Sequence, residues 1–116
     1  MYNTVSVIGA GSWGTALSIH LAKKGRDVKL WVYEEEVIYS INNERENKRY
    51  LPGVILPDGI HPSNDIEKTL KDTAVVVFAV PSHITRMMAK RAAPFIKDNQ
   101  TIVNVAKGFE TDSLKR

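Results

Sequence analysis

The chain has 116 residues, 43% of them hydrophobic and 25% charged, with 16 basic against 13 acidic side chains and a net charge of +3. These values fit one soluble globular domain, and the charge is too slight and too dispersed to argue for nucleic acid or an anionic membrane. Without cysteine, disulfides, thiolate metal sites and cysteine nucleophiles are excluded, and no apolar stretch approaches the roughly 18 residues that span a bilayer.

A β-branched run predicts a first strand over Thr4 to Ile8, so early in the chain that no room is left for a signal peptide. The strand breaks into Gly9-Ala10-Gly11-Ser12-Trp13-Gly14, a G-x-G-x-x-G run that opens a helix. Between a strand and a helix this run is a dinucleotide-binding fingerprint. Gly9 lets the chain turn off the strand, Gly11 lets a pyrophosphate approach the backbone, and Gly14 lets the helix pack close to the sheet. The N–H groups and dipole at the helix start suit phosphate, and Ser12 is placed to add a hydroxyl or N–H bond. The helix is expected from about Ser12 to Lys24, with Trp13, Ala16, Leu17, His20 and Leu21 on one stripe at helical spacing and Gly25 as its stop. Trp13 is expected either to line the site or to be buried.

A second strand over Val28 to Tyr33 delivers Glu34, twenty positions after Gly14, where an acidic residue binds the adenosine ribose. A second helix from Glu35 to Asn47 turns Val37, Ile38 and Ile41 inward. Residues 48–64 are broken by Pro52, Gly53, Pro57, Gly59 and Pro62 and read as a long loop that packs, with short strand pieces. Asn64 or Asp65 caps a short helix ending at Lys71. Ala74 to Val80, nearly all apolar, reads as a parallel strand buried on both faces. After Pro81-Ser82 a helix from His83 to Ile96 turns Ile84, Met87, Met88, Arg91, Ala92 and Phe95 to one side, and a last strand covers Thr101 to Ala106.

Strands alternating with helices predict an α/β fold, a Rossmann-type doubly wound, mainly parallel sheet with helices on both faces and right-handed crossovers. The ligand should lie beyond the carboxyl ends of the strands, where four loops meet: Gly9 to Trp13, Tyr33-Glu34, Pro81 to His83 and Lys107-Gly108. Pro81 is therefore counted among the cofactor-lining residues. His20 reads as a core-edge residue, His61 as a loop residue and His83 as a neighbour of the nicotinamide channel. No two histidines have metal-ligand spacing, so no metal is expected. Met87 and Met88 read as core filler and Trp31 as buried on a sheet face.

Four motifs stand in order: Gly9-Ala10-Gly11-Ser12-Trp13-Gly14-Thr15-Ala16, Asn47-Lys48-Arg49-Tyr50-Leu51-Pro52-Gly53, Val80-Pro81-Ser82-His83 and Lys107-Gly108-Phe109-Glu110. Together they resemble the N-terminal domain of the bacterial NAD(P)-dependent glycerol-3-phosphate dehydrogenases, over essentially the whole chain. The resemblance implies that residues 1–116 are the dinucleotide-binding domain of a cytoplasmic, homodimeric oxidoreductase. Its substrates would be dihydroxyacetone phosphate and sn-glycerol 3-phosphate, supplying glycerophospholipid synthesis. By position it implies that Ser12 and Trp13 contact the cofactor, that Tyr33 and Glu34 flank the adenosine ribose, that Tyr50 belongs to the same cofactor pocket, and that Lys107 meets both cofactor and substrate. A lysine at the end of a parallel strand is placed to hold a phosphate or polarise a carbonyl, so Lys107 is the candidate catalytic and substrate-binding residue. The family's helical domain, with its proton-transferring lysine, lies outside this chain, which is expected to bind cofactor without useful turnover. Many members carry arginine at the end of the second strand. Here Tyr33-Glu34-Glu35-Glu36 would repel a 2′-phosphate, which predicts NAD(H), with NADP(H) as the alternative should Lys48 or Arg49 fold back. The fingerprint alone also fits another two-domain hydroxy-acid or ketopantoate-type dehydrogenase, and the length alone a stand-alone NAD sensor.

Overall fold

A computed structural model describes residues 4–105. The elements are β1 (Thr4–Ile8), α1 (Ser12–Lys23), β2 (Asp27–Trp31), α2 (Glu35–Glu44), β3 (Glu46–Asn47), β4 (Leu51–Ile55), β5 (Ile60–Ser63), α3 (Ile66–Leu70), β6 (Val75–Phe78), α4 (Ser82–Ala92), a 3-10 turn (Ala93–Phe95) and β7 (Thr101–Asn104). Five strands form one sheet in the order β5-β2-β1-β6-β7, and every neighbouring pair is parallel. From β1 the chain builds outward through β2 to β5, then crosses back to lay down β6 and β7. The direction of winding therefore reverses between β1 and β6, the switch point where ligands of such sheets bind.

Side chains alternate across the sheet and divide the core in two. On one face Val5, Val7, Val28, Leu30 and Val77 pack with Leu17 and Leu21 of α1 and Val37 and Ile41 of α2. On the other, Ile8, Trp31, Val76 and Phe78 pack with Ile66 and Leu70 of α3 and Met88 and Ala92 of α4. Burying each large apolar side chain contributes about 1.5–3 kcal/mol. The second face also holds a polar knot: Ser6 Oγ lies 2.7 Å from both the Thr69 carbonyl oxygen and Thr73 Oγ1. The Gln100 amide reaches the carbonyls of Leu70 at 2.8 Å and Thr73 at 2.9 Å.

Several sequence expectations change. The face of α1 that meets the sheet is Gly14, Thr15 and Ser18, while Trp13, Ala16 and His20 of the expected stripe are exposed. Small residues let the helix axis approach the strands, so they, and not the larger apolar side chains, occupy the closest contact. α2 stops at Glu44 because Arg45 takes a left-handed conformation, φ 55°, and the following residues turn into β3, which pairs antiparallel with β4. The predicted loop also contains β5, a full member of the main sheet with Leu30 opposite Pro62. Proline is tolerated there because β5 is an edge strand. His61 accordingly sits on a strand, with its Nε2 2.8 Å from Asp27 Oδ1. On α4, Met88 is buried but Met87 is exposed. Asp65 caps α3 by accepting from the Lys68 N–H.

Candidate functional site

The glycine loop is built by two contacts that exclude side chains and one position left open. Gly9 has φ +117°, and a Cβ there would stand 2.7 Å from the Ala79 carbonyl oxygen at the end of β6. A Cβ on Gly14 would stand 1.9 Å from the Gly9 carbonyl oxygen. The end of β6, the loop and α1 are thus stacked too closely for a side chain at either glycine. Gly11 differs: a Cβ there would meet nothing within 4 Å, so the space beside it is free for another molecule. Gly11 is also the N-cap of α1 and supplies no capping side chain, which leaves the first-turn N–H groups and the positive end of the helix dipole for an anion. Ser12 and Trp13 complete the rim, and Trp13 is 53% exposed, so of its two expected placements the structure takes the open one.

After β2, Glu34 is the N-cap of α2, but its side chain makes no capping bond to the helix. Its Oε2 instead accepts from the Tyr50 hydroxyl at 2.5 Å. That bond, then burial, then the Glu34 charge hold the Tyr50 phenol above its ordinary pKa, against the opposing charge of Arg49. The Arg49 guanidinium lies 5.2 Å from the Tyr50 ring centre and 3.1 Å from Glu36 Oε2, and Lys48 Nζ pairs with Glu44 at 2.5 Å. Both bases that could reach a ribose phosphate are therefore engaged with carboxylates of α2. Tyr33 is 73% exposed beside them.

Asn47 joins the two halves. It is fully buried; its Nδ2 donates to the Ala10 carbonyl at 2.9 Å and to Thr15 Oγ1 at 2.8 Å, and its Oδ1 accepts from the Tyr50 N–H at 3.1 Å. Asn47 and Thr15 stand inside two of the motifs, but motif reading assigns neither a role, because they carry no charge and are not among the fingerprint glycines. The available signal was an asparagine three residues before a motif tyrosine, the spacing of a side chain that closes a turn on the backbone.

Pro81 stands exposed at the N-cap of α4, just past β6, on the same carboxyl edge as the glycine loop, with His83 exposed beside it. Lys107 and Gly108 lie outside the described residues. Two surface concavities sit elsewhere, one against α2 bounded by Glu36, Tyr39 and Lys48, the other under α3 bounded by Leu70, Thr73, Phe95 and Gln100. Neither is lined by the glycine loop. Among the described residues no cluster of His, Asp or Glu is placed to share a metal ion, and no helix is long and apolar enough to cross a membrane.

A parallel sheet wound both ways from β1, a glycine turn at the switch point, an open helix N-terminus and a carboxylate after β2 define a nucleotide-binding α/β domain of the Rossmann class. The chain belongs to the family described as NAD-dependent glycerol-3-phosphate dehydrogenase N-terminus, which matches residues 4–116. It is 49% identical over all 116 residues to a glycerol-3-phosphate dehydrogenase [NAD(P)+] of Pelotomaculum thermopropionicum, covering 33% of that protein. It is 50% identical over 112 residues to the enzyme of the same name from Carboxydothermus hydrogenoformans, covering 97% of this chain and 33% of that one. The crystal structure of glycerol-3-phosphate dehydrogenase from Coxiella burnetii superposes with a TM-score of 0.83 at 33% identity, over 89% of this chain and 32% of that one. The chain thus spans about a third of the length of these relatives.

Proposed function

We propose that residues 1–116 are the dinucleotide-binding domain of a cytoplasmic oxidoreductase. The enzyme interconverts dihydroxyacetone phosphate and sn-glycerol 3-phosphate and supplies glycerophospholipid synthesis. The observation that carries the reading is the open space at Gly11 at the N-terminus of α1, in a chain of the glycerol-3-phosphate dehydrogenase family. In this reading Gly11, Ser12 and Trp13 receive the pyrophosphate on a turn that Gly9 and Gly14 shape, Tyr33 and Glu34 flank the adenosine ribose, and Tyr50 lines the same cofactor pocket. Pro81 lines the nicotinamide side. Lys107 holds the substrate phosphate or polarises its carbonyl. The bound nicotinamide supplies or takes the hydride. A helical domain beyond these residues contributes the proton donor and most of the glycerol phosphate pocket, and the full-length protein is a homodimer.

NAD(H) is the preferred cofactor. Glu34 and Glu36 would face a 2′-phosphate with like charge, whereas a free 2′-hydroxyl finds an acceptor in Glu34. A second reading, NADP(H), is favoured by the position of Arg49 over the Tyr50 ring. Titration of the chain with NADH and with NADPH, followed by tryptophan quenching, separates the two. NADH should bind saturably and by about tenfold more tightly, the factor that 1.4 kcal/mol gives. A preference for NADPH overturns the Glu34 argument. No saturable binding of either overturns the cofactor reading. The chain alone should show no oxidation of NADH by dihydroxyacetone phosphate.

A further inference from the structure

We infer that Asn47 is a positioning residue for the pyrophosphate, fixing the direction of the Ala10–Gly11 peptide; the inference rests on the dinucleotide reading above. The Asn47 side chain uses both amide protons and its oxygen. Nδ2 donates to the Ala10 carbonyl at 2.9 Å and to Thr15 Oγ1 at 2.8 Å. The Thr15 hydroxyl donates back to the same Ala10 carbonyl at 3.2 Å, so that one oxygen is held from two sides inside the protein. Asn47 Oδ1 accepts from the Tyr50 N–H at 3.1 Å, which gives the amide a single orientation. The described backbone has no cis peptide, and in a trans peptide the C=O and the next N–H point opposite ways. Holding the Ala10 carbonyl inward therefore aims the Gly11 N–H the opposite way, away from the buried side chains that hold that oxygen, on the loop where Gly11 leaves open space.

The chemistry requires a primary amide here, on the shorter of the two side chains that carry one. Two donors and one acceptor in a planar fork are needed; aspartate lacks the donors, serine has one, and an apolar residue has none. A residue that only filled this fully buried place would be cheaper as a hydrocarbon, because burying polar atoms costs free energy that hydrogen bonds must offset.

The test compares the unsubstituted chain with Asn47→Ser and Asn47→Asp, using NADH, ADP-ribose and adenosine, with a thermal melt of each. Both variants should bind NADH and ADP-ribose about ten- to hundredfold more weakly, the range for lost hydrogen bonds involving a charged group. Adenosine, which has no phosphate, should change by much less. An equal loss for all three ligands, or unchanged NADH binding despite a lower melting temperature, overturns the inference and leaves Asn47 a structural residue. Should neither variant fold, the unsubstituted chain decides by nuclear magnetic resonance: the Gly11 amide proton should move downfield on adding ADP-ribose, and a Gly11 signal that stays still while others move overturns the inference. If the unsubstituted chain binds no dinucleotide at all, the reading itself falls, a result distinct from a variant that binds as well as its parent.

Discussion

A side chain on Gly14 would overlap the carbonyl oxygen of Gly9, the Cβ standing only 1.9 Å from it, whereas one on Gly11 would touch nothing within 4 Å. The two glycines of one motif therefore answer to different demands, one to packing and one to a ligand. Gly14→Ala should destabilise by about 3 kcal/mol or more, since the obstructing atom is backbone and cannot swing away. Gly11→Ala should melt within about 0.5 kcal/mol of its parent and bind NADH poorly. Thermal melts and NADH titration of both variants check this. A Gly11→Ala chain that binds NADH normally would remove Gly11 from the site.

Cofactor choice should follow Glu34. Glu34→Gln keeps an acceptor for Tyr50 but removes the charge. NADPH should then bind about tenfold better, as expected for relief of one like-charge contact near the surface, and NADH somewhat less well. The discrimination of the parent should also shrink as salt rises, because exposed charges are screened. Equal gains for both cofactors in Glu34→Gln would mean that Glu34 does not face the 2′ position.

How far the sequence reached can be judged along α1. The strand, the glycine turn and the helix bounds were all legible, because glycine spacing and β-branching act locally. Of the face that meets the core, only Leu17 and Leu21 were legible. Apolar spacing selected Trp13, Ala16 and His20, which are exposed, whereas the sheet accepts Gly14, Thr15 and Ser18 because the distance of closest approach decides, and that is a tertiary quantity. The end of α2 was misplaced for a related reason. No proline or glycine marks a stop before Asn47, but its hydrogen bonds to Ala10 and Thr15 hold the chain out in β3. β5 was hidden by Pro62, which argues against a central strand and says nothing against an edge. The pairing of Glu34 with Tyr50 joins a residue placed by its spacing from Gly14 to one placed by family resemblance, and neither route gave their contact.

That pairing makes Tyr50 a reporter. Its phenol is held above the ordinary 10.0, first by the hydrogen bond to Glu34, then by burial and the Glu34 charge. A folded pKa raised above the unfolded one gives stability that is complete below about pH 10 and disappears as pH rises through the folded value. The phenolate absorbance of the parent minus that of Tyr50→Phe should titrate with a midpoint above 10.0, and Glu34→Gln should lower it. A midpoint at or below that value would show that the bond does not persist in solution.

The polar knot on the opposite face of the sheet gives the converse test, of stability without function. Ser6 Oγ stands 2.7 Å from the Thr69 carbonyl and from Thr73 Oγ1, and Ser6 is fully buried. Ser6→Ala leaves the Thr69 carbonyl without that donor in a dry place and should cost about 1–3 kcal/mol. The effects of Ser6→Ala and Thr73→Val should not add, since the two hydroxyls share one bond and contacting residues couple by about 0.5–3 kcal/mol. Urea unfolding of the two single variants and the double variant measures this. NADH affinity should be unchanged throughout, because Ser6 points away from α1 and the glycine loop; a fall in affinity would mean that the two faces of the sheet are coupled through β1.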